Sequence, residues 1–403
     1  MTRAPSSPSV ASEPGAETAN GRPLYAVAGC YFVASFAALG LPPYLTVILP
    51  ELGDPTARWA GVLYVVPTVF GGLGAPLWGR LADRYGHKRL LLRAQLGLTL
   101  AFLLAGWADS LLMFAAALVV QGVLGGTFAA SSGYLGSALR GPALARALTV
   151  LQGSARAALV VAPIAVGALT PWVTPHRQYL VLAVLPLAAA LVLALLPQPA
   201  AEADAATRAP AEGTDGGTGS LRALFALEFG VVFATVVSFP YLQALVEQRL
   251  PEVSALVVGV LFAVPHLVYL ATATTAHRVV RLGSSGLAGL GFACLAVGSA
   301  AHLWAESLTG FVVVRLLLGV GLTLCLLGRN TLAAHCARRH RAGRMFGSLE
   351  FFAKAGAVAA GLTATGAHLE FGPVAPALAG ALVAAAALVV ITGSTLRTRT
   401  ATH

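Results

Sequence analysis

Apolar runs long enough to cross a bilayer recur along this chain, and no other feature limits its fold as tightly. They fall near residues 24–49, 59–79, 90–107, 111–138, 146–170, 178–196, 221–246, 255–275, 285–304, 308–333, 344–367 and 373–394. A helix needs about 20 apolar residues to span a hydrocarbon core of about 30 Å. Within lipid, every backbone N–H and C=O must find its partner inside the protein, which leaves only helices or closed barrels. Runs of this length suit helices. The expected fold class is an all-α membrane protein with about twelve transmembrane helices. Composition agrees: 57% of the 403 residues are hydrophobic and 10% are charged, where a soluble domain carries about 25% charged residues.

A net charge of +10 would suit a nucleic-acid partner if the protein were soluble. Here the arginines stand in short connections between apolar runs and are not interleaved with aromatics, so the expected partner is the lipid bilayer and not nucleic acid. One side holds Arg80, Arg84, Lys88, Arg89, Arg140, Arg146, Arg278, Arg281, Arg338, Arg339, Arg341 and Arg344. The other holds Arg58, Arg177 and Arg249 together with Glu51, Asp54, Asp109, Glu247, Glu252, Glu306 and Glu370. Lys and Arg accumulate in cytoplasmic loops, so both termini are expected on the cytoplasmic face. Cys30, Cys294, Cys325 and Cys336 are scattered, with no CxxC and no zinc spacing. Neither a disulfide nor a metal site is expected.

The chain divides into five parts. Residues 1–22 are rich in Pro, Ser, Ala and Glu and read as a disordered cytoplasmic tail. The first apolar run, at 24–49, reads as a retained helix rather than a cleaved signal. Residues 23–196 form an N-terminal six-helix bundle and 221–396 a C-terminal one. The polar stretch 197–220 is a flexible cytoplasmic linker, and 397–403 is a cytoplasmic tail.

The two bundles repeat. Pro43-Tyr44-Leu45 returns as Pro240-Tyr241-Leu242, 197 residues later, and GVLYVVP at 61–67 returns as GVLFAVP at 259–265. Gly86 and Gly122 return as Gly283 and Gly319. Spacing of 197 residues at three of these places and 198 at the other (259 − 61) points to two halves related by a pseudo-twofold axis along the membrane normal.

Between the second and third runs lies a dense charged turn, GRLADRYGHKR, with Gly79, Asp83, Arg84, Gly86, Lys88 and Arg89. The glycines permit close approach and positive φ. Asp83 is placed to pair with Arg84 or Lys88, or to cap a helix. This stretch resembles the loop between the second and third helices of the major facilitator superfamily, and the resemblance extends over 24–394. It implies alternating access by rocking of two bundles, with Asp83 bracing the outward-facing state. The second copy of the turn carries Val280 where the first has Asp83. The family's arginine motif, R-x-x-x-G-x-G, is missing from the fourth helix, where Leu118 stands. It is complete in the tenth, at Arg315, Gly319 and Gly321. Arg315 either snorkels outward as a structural residue or carries a conformational role. Pro163 and Gly167 retain part of the Gly-Pro motif of drug:proton antiporters.

Arg156 in the fifth run and Lys354 in the eleventh stand at matching positions of the repeat, each ten residues past a basic anchor (Arg146, Arg344). Ten helical residues rise about 15 Å, which sets both near the midplane. An intramembrane charge faces a cavity or a partner. Glu350, four residues before Lys354, shares its helix face and either closes a structural pair or takes part in function. Gln152 is the counterpart of Glu350. Glu228 in the seventh run is a second deep carboxylate, and Tyr31 is its counterpart. Arg156, Lys354, Gln152, Tyr31 and His266 are the candidate substrate-binding residues, with Glu228 and Glu350 as proton-coupling residues. His266 lines the cavity or is a packed neutral histidine. Arg329 reads as a snorkelling anchor, and Tyr44 and Tyr241 read as interface anchors.

No catalytic cluster is visible, and no enzyme is expected. The stretch RMFGSLEFFAKAGAVAAG looks most like exporters of the proton-antiport type. The expected function is proton-coupled export of a small amphipathic or anionic metabolite (a siderophore, antibiotic or drug) across the bacterial inner membrane. The chain would act as a monomer, with no cofactor beyond the proton gradient. The alternative is a proton symporter importing an organic anion or sugar.

Overall fold

The computed structural model describes residues 21–138, 141–195, 218–279, 283–337 and 342–400. Most of the expected tail 1–22 and most of the linker 197–220 lie outside the described residues. So do Arg140, Arg281, Arg338, Arg339 and Arg341. The described chain is helical throughout. In order it forms α1 (Gly21–Gly40), α2 (Leu45–Glu51), α3 (Ala60–Tyr85), α4 (His87–Trp107), α5 (Leu111–Leu124), α6 (Thr127–Ala138), α7 (Gly141–Leu169), α8 (Pro175–Leu182) and α9 (Val184–Leu195). The second half has α10 (Thr218–Val236), α11 (Leu242–Arg249), α12 (Ala255–Val279), α13 (Ser284–Ala301), α14 (Leu308–Ala337), α15 (Ala342–Phe371) and α16 (Ala375–Thr400). The last helix runs past the expected boundary at 396.

Several apolar runs are not single helices, and the breaks follow the residues that cannot sustain a helix. Pro42 and Pro43 lack an N–H, and the first run narrows to a 3-10 turn at Pro42–Tyr44. The same turn recurs at Phe239–Tyr241 in the seventh run. In the fourth run, α5 stops at Leu124, and Gly126 takes φ 77° before α6 begins. The carbonyls freed there are claimed by side chains. Trp78 Nε1–H donates to Val123 O (2.7 Å) and Arg93 Nη1–H to Leu124 O (2.6 Å). The Arg93 guanidinium lies 3.5 Å over the Trp78 ring. At the charged turn, Gly86 with φ 90° and ψ 144° separates α3 from α4, a conformation essentially restricted to glycine.

The end of the molecule that carries this turn is the basic end. The opposite end, with the 52–59 and 250–254 connections, is the far end. Lipid offers no hydrophobic drive between helices, so close approach of small residues holds them together. A Cβ at Gly291 of α13 would come within 2.6 Å of Cys325 Sγ on α14, and one at Gly321 of α14 within 2.9 Å of Gly291 O. The halves meet along two seams, α7 against α12 and α3 against α15. One apolar cluster runs across both, from Ala34 and Tyr44 to Tyr241, Ala360 and Ala364.

Candidate functional site: a charged cluster between the halves, below a closed end

The far end is shut by the duplicated tyrosines. Tyr44 Oη–H donates to Pro163 O of α7 (2.6 Å) and lies 3.2 Å from Ala255 O of α12, across the seam. Tyr241 Oη–H donates to Arg58 O (3.0 Å) and accepts from Gly61 N–H (3.2 Å), with Thr365 Oγ1 at 3.5 Å. Both side chains are fully buried, which corrects their reading as interface anchors. Each hydroxyl instead ties its own half to the backbone of the other. Glycines make this possible. A Cβ on Gly167 would collide with Ala255 O, one on Gly259 with Pro163 O, and one on Gly61 with Gly361 O. His368 stacks on the Tyr241 ring at 4.1 Å.

Deeper in, four elements bring charged groups together. Arg329 of α14 places Nη1 3.1 Å and 3.2 Å from the two oxygens of Glu228 on α10. Its Nε and Nη2 donate to Asn330 Oδ1 (3.1 and 2.8 Å). The Glu228 side chain is 7% exposed and that of Arg329 23%. Arg329 is therefore not a snorkelling anchor: a buried carboxylate holds it inward. Arg156 of α7 sends Nη1 to within 3.4 Å of His266 Nδ1 on α12 and lies 5.5 Å over the Tyr269 ring. Arg329, Glu228 and Tyr31 act on Arg156 electrostatically. The cluster thus straddles both halves.

The expected pairing of Arg156 with Lys354 is not what the geometry brings together. Lys354 Nζ lies 3.7 Å from Glu350 Oε1, a half-exposed pair one turn apart on α15. No contact joins Lys354 to Arg156 among the described residues. Glu350 is 50% exposed, not buried as its place in an apolar run implied. Tyr31 is buried and feels both Glu350 and Arg156. Gln152 is exposed, on the same helix as Arg156. In the charged turn, the Arg84 guanidinium lies 5.4 Å over Tyr85 and Lys88 Nζ–H donates to Ala194 O (2.9 Å). Arg89 is exposed. Gly79 and Asp83 are helical, and the Asp83 side chain lies outside what is described. Sequence reasoning missed the role of Arg329. The signal was available as charge balance: Glu228 and Arg329 are opposite charges, each standing inside a separate apolar run.

Arg315 does not snorkel. It is 1% exposed, and Nε–H donates to Leu261 O (2.8 Å) and Nη2–H to Phe262 O (3.3 Å). Pro265 explains the first bond. Its nitrogen cannot donate to the carbonyl four residues back, so Leu261 O is left free inside α12 and Arg315 takes it.

The comparisons fit this architecture. The profile of the Major Facilitator Superfamily matches residues 27–249. The multidrug resistance protein MdtG of Dickeya zeae is 34% identical over 102 residues, 24% of this chain and 25% of that protein. MdtG of Erwinia billingiae is 37% identical over the same length. The matched stretch therefore spans about a quarter of these relatives. Among solved structures, a POT family transporter in complex with 5-aminolevulinic acid superposes with a TM-score of 0.74 at 11% identity, covering 92% of this chain and 95% of that one. The human organic anion transporter MFSD10 superposes with a TM-score of 0.64 at 18% identity, covering 92% and 99%. At such identities the likeness shows the fold alone. With the profile covering more than half of its residues, this chain belongs to the Major Facilitator Superfamily, a family of multi-pass membrane transporters.

Proposed function

We propose that the protein is a proton-coupled transporter of the bacterial inner membrane, both termini cytoplasmic, exporting a small amphipathic molecule by alternating access. The observation that carries this is the Glu228–Arg329 ion pair, buried between the halves beside Arg156 and His266. A carboxylate at this depth is costly unless paired or protonated, so its proton and its arginine are alternatives. The stretch shared with MdtG, a multidrug resistance protein, supports export.

With this pair as the proton site, the sign of coupling depends on the charge of the substrate. Antiport requires that the loaded site hold fewer protons than the empty one. A substrate with a positive or strongly dipolar group leaves Glu228 ionised and satisfies this. An anion seated by Arg156 and Arg329 does the opposite. It draws Arg329 from Glu228, which then takes up a proton, and anion and proton travel together. Two guanidinium groups facing one carboxylate favour this second reading, import of an organic anion by symport. Proteoliposomes with a pH-sensitive dye decide between them. Export is supported if a lipophilic cation releases protons from the binding side and Glu228→Gln abolishes the release. Proton uptake with an aryl carboxylate, and none released by the cation, would establish the symport reading instead. No proton movement with either probe would remove proton coupling.

A further inference from the structure

His266 lines a cavity of about 20 Å³ walled by α10, α12, α13 and α14 together with Ser238 and Phe239. It has room for one water-sized guest. Its polar lining is Thr235, Ser238, His266 and Arg315. We propose that it binds a small monovalent inorganic anion, of which chloride is the abundant example, and that this anion is the counter-ion of Arg315.

Three observations converge. First, Arg315 is buried to 1% exposure, and both of its hydrogen bonds go to neutral carbonyls. Among the described residues no carboxylate pairs with it. An arginine keeps its charge even when desolvated, and an isolated charge in the interior is costly unless compensated. Second, the tautomer of His266 can be deduced. Arginine has only donors, so Nδ1 facing Arg156 Nη1 carries the lone pair and Nε2 carries the hydrogen. That Nε2–H is buried without a partner, in a side chain only 4% exposed that lines the cavity. Third, the Ser238 hydroxyl has no hydrogen bond among the described residues, while Thr235 spends its hydrogen on Val231 O (2.7 Å). A guanidinium, an imidazole N–H and a free hydroxyl offer donors. A water would accept from them and find only the hydroxyl oxygens of Thr235 and Ser238 as acceptors for its own hydrogens. An anion needs only donors.

The site is separate from the substrate cluster, yet joined to it through one ring. An anion on Nε2–H fixes the tautomer that lets Nδ1 receive Arg156. The inference holds whatever the transported molecule is.

The test is thermal unfolding of the purified full-length protein in detergent, titrating sodium chloride against sodium gluconate at constant ionic strength. The expected result is a melting temperature that rises with chloride and saturates, with bromide replacing chloride. Ser238→Ala, which removes a donor, and Ala234→Val, which fills the space, should each raise the half-saturating concentration at least tenfold. Neither touches the guanidinium, so folding should survive. A bromide soak should give one anomalous scattering peak between Arg315 and His266. Equal melting in chloride and gluconate, with no anomalous peak, would show a water there and overturn the proposal. Chloride stabilisation unchanged in both variants would place the ion elsewhere and overturn it equally.

Discussion

The far-end seam gives the sharpest quantitative expectation. Take Gly259→Ala. The added Cβ would lie 2.7 Å from Tyr44 Oη and 2.8 Å from the carbonyl carbon of Pro163. The second is backbone, so no side-chain rotation relieves it, and α7 and α12 must separate. Inserting a methyl into packed structure costs about 1–3 kcal/mol. Separation also loses the contact of Tyr44 Oη with Ala255 O of α12 (3.2 Å), about 1 kcal/mol net. The closed far end is therefore destabilised by about 2–4 kcal/mol relative to the open one. At about 1.4 kcal/mol per factor of ten, the open population rises by about 30- to 700-fold. Tyr44→Phe removes only the hydrogen bond and should shift it by about fivefold. Gly29→Ala, with nothing within 4 Å of the new Cβ, should do nothing. The assay is electron–electron double resonance between spin labels at positions 173 and 253, in the far-end connections of the two halves. A longer distance should grow in the order Gly29→Ala, Tyr44→Phe, Gly259→Ala. A distribution unchanged by Gly259→Ala, in protein that remains monodisperse, would refute the seam as the closure. Gly61→Ala should reproduce the effect through Gly361.

Glu228→Gln should abolish pH-gradient-driven transport. It should also lower stability by about 2–3 kcal/mol, below the usual cost of halving a buried ion pair because Arg329 is partly exposed; vesicle transport and melting temperature read the two effects separately. Gly86→Val should cost about 1–3 kcal/mol, since φ 90° with ψ 144° is closed to a β-branched residue, and a melting curve checks it. Asp83→Asn should leave insertion intact and slow transport at equal expression. Arg156→Ala should weaken substrate binding at least tenfold, and Arg156→Lys should retain part of it, as isothermal titration would show.

The sequence was legible where one physical constraint acted alone. Lipid demands helices, so the apolar runs gave the fold class. The repeat of Pro43-Tyr44 and of GVLYVVP gave the two halves, and Gly86 gave the break it makes. Legibility failed where two helices distant in the chain decide the matter. Lys354 and Glu350 are four residues apart, and their pair was visible. Glu228 and Arg329 are about a hundred apart, and nothing local in either stretch names the other. Tyr44 and Tyr241 resembled anchors because tyrosine at a helix end has that default. Only the glycines opposite, Gly167 and Gly259 for one, Gly61 and Gly361 for the other, turn those positions into a seam. Of the two readings of Arg315, snorkelling fell away only once its neighbour was known, since the carbonyl it satisfies is freed by Pro265 on another helix.

The two devices differ in chemistry in a way that suits alternation. Among the described residues, the far-end closure is made of tyrosine hydroxyls, carbonyls and glycine contacts, all of them neutral. Opening it leaves no ion unpaired in lipid and costs a few hydrogen bonds that water can replace. Charge is held instead at the cluster of Glu228, Arg329, Arg156 and His266, where separating partners without a substitute is expensive. Whatever occupies the cluster therefore decides which arrangement is affordable, while the seam sets only how easily the halves part. Ionic strength should move the far-end equilibrium little, because salt screens charges and the closing hydroxyl, carbonyl and glycine contacts are neutral. Occupancy of the cluster, by proton or substrate, should move it. Alternation between two arrangements needs that division: a gate that is cheap to break and a charge balance that dictates when breaking it is allowed.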